Sequence, residues 1–204
     1  MSRLVDDLIR SGNLRSDNII DAFLKIGREK FVPSDLLGRA EANMPLPIGN
    51  GQTISQPLTV AFMFELLVPK EGQNILDVGS GSGWTTGLLS HIVGKSGKVT
   101  AIELIENLCK QGEKNVGHFG FVKSGIAEFH CQSGEFGFEK NAPYDRILVS
   151  AAVQEVPEKL KQQLAISGRM VLPVKNEIWC MEKKSENDFE IEKFPGFTFV
   201  PFVK

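Results

Sequence analysis

The sequence predicts an α/β protein built on a mostly parallel sheet with an antiparallel edge at its C-terminal end. Three observations carry that expectation. From residue 58 to about residue 165, short apolar strand candidates alternate with helix candidates, the order that lays helices against a parallel sheet. A glycine-rich turn, Asp77-Val-Gly-Ser-Gly-Ser-Gly-Trp84, lies between one such strand and the helix after it. Beyond residue 165 the strand candidates follow one another with no helix between them, which fits hairpin connections rather than crossovers.

The elements follow in chain order. Leu4, Leu8 and Ile9 place apolar residues on one face of a first helix, and Ile19, Ile20, Phe23 and Leu24 do the same for a second after the turn Ser11-Gly12-Asn13. Phe31-Val32-Pro33 closes this region. From about Gly38 to Pro57 the chain is rich in proline, glycine and small polar residues and reads as a long loop, a kind of segment that is often functional. Leu58 to Val68 is an apolar helix. Asn74–Val78 is a strand with an acid inside it, Thr85–Val93 a helix, Lys98–Glu103 a strand, Ile105 to about Phe119 a helix, and Ala127–Cys131 and Arg146–Ser150 strands. Pro157 to Ala165 reads as a helix with proline in its first turn. Arg169–Pro173 and Ile178–Met181 follow as strands, with a last strand expected near Phe197 to Phe202.

Composition narrows the function classes. The 204 residues are 42% hydrophobic and 24% charged, ordinary values for a soluble globular enzyme, and a chain of this size buries roughly 70% of its unfolded surface without metal or disulfide staples. The net charge of -2 offers no basic surface for a phosphate backbone, so nucleic acid is not expected as a partner. The run Glu182-Lys183-Lys184 reads as a solvated face. Cys109, Cys131 and Cys180 are widely spaced, odd in number and lack CxxC spacing, and His91, His118 and His130 also lie apart. Neither a zinc site nor a disulfide framework is expected, and Cys109 and Cys131 read as packing residues. The N-terminus has no apolar core of a secretory signal, and no run approaches the ~20 apolar residues of a membrane span. A cytoplasmic, membrane-free protein is the expectation.

The glycine turn carries chemistry. Gly79, Gly81 and Gly83 permit a sharp bend and the close approach of a ligand to the main chain. Glu103 ends the next strand, where a carboxylate can accept hydrogen bonds from both hydroxyls of a ribose. A dinucleotide fold would prefer GxGxxG, but Trp84 stands where the third glycine of that motif belongs. Three alternate glycines after Asp77, with an acid further on, suit S-adenosylmethionine better, because it has no pyrophosphate to cradle. A tight strand-to-helix turn is the blander alternative.

A second constellation precedes the turn: Pro45-Leu-Pro-Ile-Gly-Asn-Gly-Gln-Thr53-Ile-Ser55-Gln-Pro57. Three prolines stiffen it, and Thr53, Ser55 and Gln56 offer hydroxyls and an amide to an anionic or amide group. Ordinary turn chemistry would explain them too. The segment Leu46 to Pro57 resembles the most distinctive signature of the protein-L-isoaspartate O-methyltransferase family, and Asp77 to Trp84 resembles that family's cofactor motif. Arg28-Glu-Lys-Phe-Val-Pro33, Ala142-Pro-Tyr-Asp-Arg-Ile147, Ser150-Ala-Ala152, Gln163-Leu164, Gly168-Arg-Met-Val-Leu-Pro173 and Phe199-Val-Pro201 match as well, in order, over nearly the whole chain.

The resemblance implies a Rossmann-like class I methyltransferase sheet with helices on both faces, as one domain over residues 1–204. Residues 1–57 would supply N-terminal helices and the substrate loop, and residues 58–204 the cofactor sheet. It implies S-adenosyl-L-methionine as donor and isoaspartyl proteins and peptides as substrates, their abnormal α-carboxylate being methylated so that the ester collapses to a succinimide that hydrolyses partly to aspartate. By matching position, Ser55 is the active-site hydroxyl, with Thr53, Ile54, Gln56, Ala151 and Ala152 around the substrate. Asp77, Gly79, Ser80, Gly81, Gly83, Glu103, Leu104 and Ser133 would hold the cofactor, and a monomer is expected. A carboxylate is already ionised at neutral pH and the sulfonium is already activated, so no general base is needed, consistent with the lack of a histidine motif. Three departures stand out: Ser133 where the family has an aspartate toward adenine, Glu41 where it has a tyrosine upstream of the loop, and Leu58 where many relatives carry an aromatic or histidine. The first two motivate an alternative carboxylate substrate, such as a normal aspartate in a modified peptide. A catalytically silent protein that keeps the fold is a further alternative. A nicotinamide dehydrogenase is disfavoured by Trp84 and by the lack of a catalytic His or Tyr–Lys pair.

Overall fold

The computed structural model describes residues 2–203. Helix α1 (Arg3–Arg10) is capped by the Ser2 side chain, which accepts from the Val5 amide, and α2 (Asp17–Lys25) follows. The predicted faces are shifted slightly: α1 buries Leu4, Val5 and Leu8 and leaves Ile9 exposed, and α2 buries Ile19, Ala22 and Phe23 and leaves Leu24 exposed. Two 3-10 turns, Arg28–Phe31 and Ser34–Arg39, lead into the loop region.

That region is not wholly irregular. Strands β1 (Leu46–Gly49) and β2 (Gln52–Ile54) form an antiparallel hairpin. Asn50 and Gly51 lie between them with φ of +52° and +71°. Positive φ at both central residues is what the tight hairpin turn favoured by Asn-Gly requires. The expectation of a plain loop is corrected here: an Asn-Gly pair between Leu-Pro-Ile and Gln-Thr-Ile was the available hairpin signal.

Helix α3 (Pro57–Leu67) opens with proline in its first turn, and its apolar composition suits burial against the sheet. Strand β3 (Asn74–Val78), helix α4 (Trp84–Val93), strand β4 (Lys98–Glu103), helix α5 (Glu106–Gly117), and strands β5 (Ala127–Cys131) and β6 (Tyr144–Val149) follow the expected alternation. Helix α6 (Glu158–Gln163) is shorter than predicted, because β7 (Leu164–Val174) begins directly after it. Strands β8 (Glu177–Ser185) and β9 (Asp188–Pro195) complete a seven-stranded sheet in the order β5-β4-β3-β6-β7-β8-β9. The pairings are parallel from β5 through β7 and antiparallel for β7–β8 and β8–β9, as expected.

The pleat sends alternate residues to opposite faces. Ile75, Leu148, Val171 and Ile178 pack with residues of α2, α3 and α4, whereas Leu76, Ile147, Val149, Met170 and Leu172 pack with Leu160 of α6. Helices therefore cover both faces, which gives the near-continuous apolar strands typical of a parallel sheet.

Three further expectations are corrected. The last strand is β9, not residues 197–202, where the described chain makes only an isolated bridge between Pro201 and Ala152. Lys183 is not solvated: it is 2% exposed, and its ammonium donates to the Leu164 carbonyl and to Glu186. Cys131 is exposed, whereas Cys109 and Cys180 are buried, and all three are free thiols. Among the described residues no helix is long and apolar enough to cross a membrane, and no group of three metal-ligating side chains converges.

Candidate active site

Strand β3 lies between β4 and β6, where the sheet switches direction of growth, and ligands of open α/β sheets bind beyond the carboxyl ends of strands at such a point. The glycine turn leaves β3 there. Gly79, Gly81 and Gly83 have φ of +77°, +54° and +90°, a region that residues with a Cβ avoid. A Cβ on Gly83 would lie 2.9 Å from the Gly112 carbonyl oxygen, so the turn also needs glycine to let α5 approach. The amides of Gly79 and Ser80 both donate to the Ile102 carbonyl, at 2.8 and 3.1 Å, which locks the turn onto the end of β4.

Glu103 ends β4 and is 7% exposed. Its Oε2 accepts the Gly81 amide and its Oε1 the Ile105 amide, each at 2.9 Å. Each oxygen keeps a further acceptor position for a ligand. Asp77 is fully buried beneath the turn. Its Oδ2 accepts the hydroxyls of Thr85 and Thr86 at 2.8 and 2.7 Å, while its Oδ1 has no partner. Burial pushes the Asp77 carboxyl up to about 6, and the charge of Glu103 pushes the same way. The Ser80 hydroxyl, 4% exposed, also lacks a partner. The orphaned Ser80 hydroxyl, beside a turn that no side chain fills, is what a polar ligand would complete.

An open cleft of about 920 Å³, counting the space that opens to solvent, lies over this turn. Thr53, Ile54 and Ser55 from the hairpin side, Gly79, Ser80 and Gly81 from the turn, Glu103 and Leu104 from β4, and Ala151 after β6 all line it. The hairpin reaches the turn directly: a Cβ on Gly81 would lie 3.2 Å from Cδ1 of Ile48. Five other expected site residues are not on the wall. Asp77 and Gly83 lie behind the turn, and the Gln56 amide donates to the Asn43 carbonyl at 3.1 Å. The Ala152 backbone pairs with the C-terminal segment instead. The Ser133 hydroxyl accepts the Glu135 amide at 3.3 Å, and it is the next residue, Gly134, that faces the cleft.

Sequence reasoning missed one wall. The amide of Ala152 donates to the Val200 carbonyl at 2.8 Å, and that of Phe202 donates to the Ala152 carbonyl at 2.9 Å. This pairing draws Val200 to Val203 along the cleft. The Phe202 ring would lie 3.2 Å from a Cβ on Gly134, so the two stand together on the cleft wall. The apolar run from Phe197 to Phe202 was the signal, read as a sheet strand instead of a strap. Glu41, expected near the site, does not line the cleft. It borders a separate hollow with Leu4, Phe23, Arg28, Glu29 and Trp84.

The sheet order, the glycine turn at the switch point and the acid on the adjacent strand define a class I methyltransferase fold. The family model for protein-L-isoaspartate(D-aspartate) O-methyltransferase matches residues 1–204, and the chain belongs to that family. A protein-L-isoaspartate O-methyltransferase of Methanopyrus kandleri is 40% identical, with 98% of this chain and 90% of the relative covered. One of Anaeromyxobacter dehalogenans is 38% identical over 100% of this chain and 97% of the relative. A crystal structure from Plasmodium falciparum in complex with S-adenosyl-L-homocysteine superposes with a TM-score of 0.89, covering 99% of this chain and 97% of its own; at 23% identity that likeness speaks for the fold.

Proposed function

We propose that this protein methylates the α-carboxylate of L-isoaspartyl residues in damaged proteins or peptides, with S-adenosyl-L-methionine as methyl donor. The observation that carries the reading is the convergence of Ser55, the glycine turn and Glu103 on one cleft, in a chain of this family. The donor supplies a methyl group on a sulfonium that needs no further activation.

The chain's own residues do the rest. Glu103 accepts the ribose hydroxyls with its two remaining acceptor positions, and Leu104 packs beside them. Gly79, Ser80 and Gly81 leave the main chain open to the methionine part, and Gly83 lets that turn pack on α5. The Ser80 hydroxyl is the unpaired polar group that a cationic amine would meet, and the Asp77 carboxylate, buried behind the turn, adds a favourable field without touching it. Gly134 and Phe202 close the side toward the adenine, with Ser133 shaping that turn from outside the wall. Ser55 donates its hydroxyl to one oxygen of the substrate carboxylate and so aims the other at the methyl group. Thr53, Ile54 and Ala151 border the peptide, and Gln56 and Ala152 hold the two segments that carry them. Positioning and exclusion of water, not proton transfer, give the rate.

In this reading residues 1–57 form the substrate side and residues 58–204 the cofactor side of one domain. Glu41 borders a different hollow, which removes one motive for a changed substrate. The protein acts as a monomer in the reducing cytoplasm, consistent with three free thiols. The test is calorimetric titration with S-adenosyl-L-homocysteine, followed by donor-dependent formation of a base-labile methyl ester on an isoaspartyl peptide. Binding and ester formation together are expected. Binding without transfer to any carboxylate peptide would leave a silent member of the family.

A further inference from the structure

Arg28 is 4% exposed and stands at the start of the 3-10 turn Arg28–Phe31. Its two terminal nitrogens lie within hydrogen-bond distance of five backbone carbonyls, one Nη2 hydrogen being shared between two of them. Nη1 reaches those of Ala40 and Ala42 at 3.0 and 3.2 Å, and Nη2 reaches those of Met44, Ile54 and Ser55 at 2.9, 3.4 and 3.0 Å. Among the described residues it takes part in no ion pair. Burial lowers its pKa to about 10, so it stays charged at neutral pH.

A buried cation without a carboxylate is costly unless its donors are well used. Here the Nη donors go to two runs of chain, residues 40–44 and 54–55, which the guanidinium holds side by side, while the buried Nε has no partner. The same group lies over the Trp84 ring, 5.4 Å from its centroid. Trp84 in turn donates its indole N–H to the Ile26 carbonyl at 3.1 Å, begins α4 and lines the cleft. One side chain therefore ties the carbonyl of Ser55 to the helix that follows the glycine turn.

We propose that Arg28 is a positioning residue for methyl transfer: it fixes the main chain at Ser55 and registers residues 40–55 against α4 before substrate arrives. This rests on the role given to Ser55 above. Lysine cannot replace the guanidinium, because a compact ammonium with three donors lacks the planar fork that serves carbonyls on two separate runs.

The experiment compares wild type, Arg28→Lys and Arg28→Ala by three measurements. These are affinity for S-adenosyl-L-homocysteine, kcat and KM on an isoaspartyl peptide, and amide hydrogen exchange of the ligand-free protein. The expected kcat loss is about 100-fold for Arg28→Ala and about 10-fold for Arg28→Lys, the scale of a displacement near 1 Å at a reacting group. Affinity for S-adenosyl-L-homocysteine should stay within about threefold of wild type. Exchange should accelerate in residues 40–56 and not in 74–93. Guanidinium ion added to Arg28→Ala should restore part of kcat and leave the wild type unchanged. The proposal is overturned by a kcat within about threefold of wild type, by cofactor affinity falling in step with kcat, or by faster exchange throughout the chain. Loss of the folded state in both variants also overturns it, since Arg28 would then serve stability alone. If the wild type fails to methylate the peptide, the functional reading fails, and the exchange pattern alone decides the role of Arg28.

Discussion

Replacing Asp77 by asparagine separates the cost of a buried charge from its use. Asp77 is 0% exposed, with both Thr hydroxyls on one oxygen and nothing on the other. Burial is the main force raising its carboxyl from 3.8 to about 6, against the hydrogen bonds from Thr86 and Thr85. A group that holds its proton more tightly folded than unfolded contributes stability in full below its unfolded pKa, and loses it as pH rises through the folded value. Between about pH 4 and about pH 6 this one residue should therefore remove on the order of 3 kcal/mol from the ligand-free protein. In a chain of this size that corresponds to roughly 6–12 °C in Tm. The assay is urea and thermal unfolding of both proteins without ligand from pH 4 to pH 8. Taking the difference between them cancels the other carboxylates, which both share. The difference should move by about 3 kcal/mol in favour of the variant across the window and then level off. At pH 7.5 the variant should bind S-adenosylmethionine at least about tenfold more weakly, because the cationic donor above the turn loses the field of the carboxylate buried behind it. Parallel pH curves would refute the burial argument, and undiminished affinity would refute a role for the charge in holding the donor.

Other perturbations test the remaining parts. Ser55→Ala should leave affinity for S-adenosyl-L-homocysteine within about threefold and lower kcat about 10-fold to 1,000-fold; equal loss of both would remove Ser55 from its proposed role. Glu103→Gln keeps the shape but makes one oxygen a donor that faces an amide, so calorimetry should show cofactor affinity reduced at least about tenfold, with unchanged affinity ruling out the ribose contact. Gly83→Ala forces a residue with a Cβ to a φ of +90° and places that Cβ 2.9 Å from the Gly112 carbonyl oxygen. Left-handed strain and overpacking together should destabilise by about 2–5 kcal/mol, seen as a lower urea midpoint; an unchanged midpoint would mean the turn relaxes freely.

The sheet was legible because its central strands are buried on both sides and written as short apolar runs. Ile75, Leu76 and Val78 are each at most 1% exposed, and the run Asn74–Val78 ends where the strand does. The cofactor side of the site was legible for a related reason: alternate glycines and an acid after a strand occupy one local stretch of sequence. What was missed depends on contacts between distant segments. The edge strand β9, Asp-Phe-Glu-Ile-Glu-Lys-Phe-Pro, alternates polar and apolar residues but is mostly exposed, whereas the more apolar Phe197 to Phe202 attracted the strand assignment. Pro201 has no amide to donate to a ladder, so that segment lies along the cleft as a strap. Lys183 looks like its exposed neighbour Lys184, and only the position of the Leu164 carbonyl makes it a buried donor. Arg28 sits in a matched motif, yet nothing local says that its five acceptors lie 12 to 27 residues away.

Transfer of a methyl group in this cleft to the abnormal carboxylate of isoaspartate can be measured on a matched pair of peptides that differ only in an isoaspartyl or aspartyl residue. Each is incubated with the protein and methyl-labelled S-adenosylmethionine, and volatile label released by base is counted, with Ser55→Ala as control. Base-labile label is expected on the isoaspartyl peptide, with little on the aspartyl peptide and a large loss with Ser55→Ala. Label on the aspartyl peptide at an equal or greater rate, or none on either from folded protein that binds the cofactor, would contradict it.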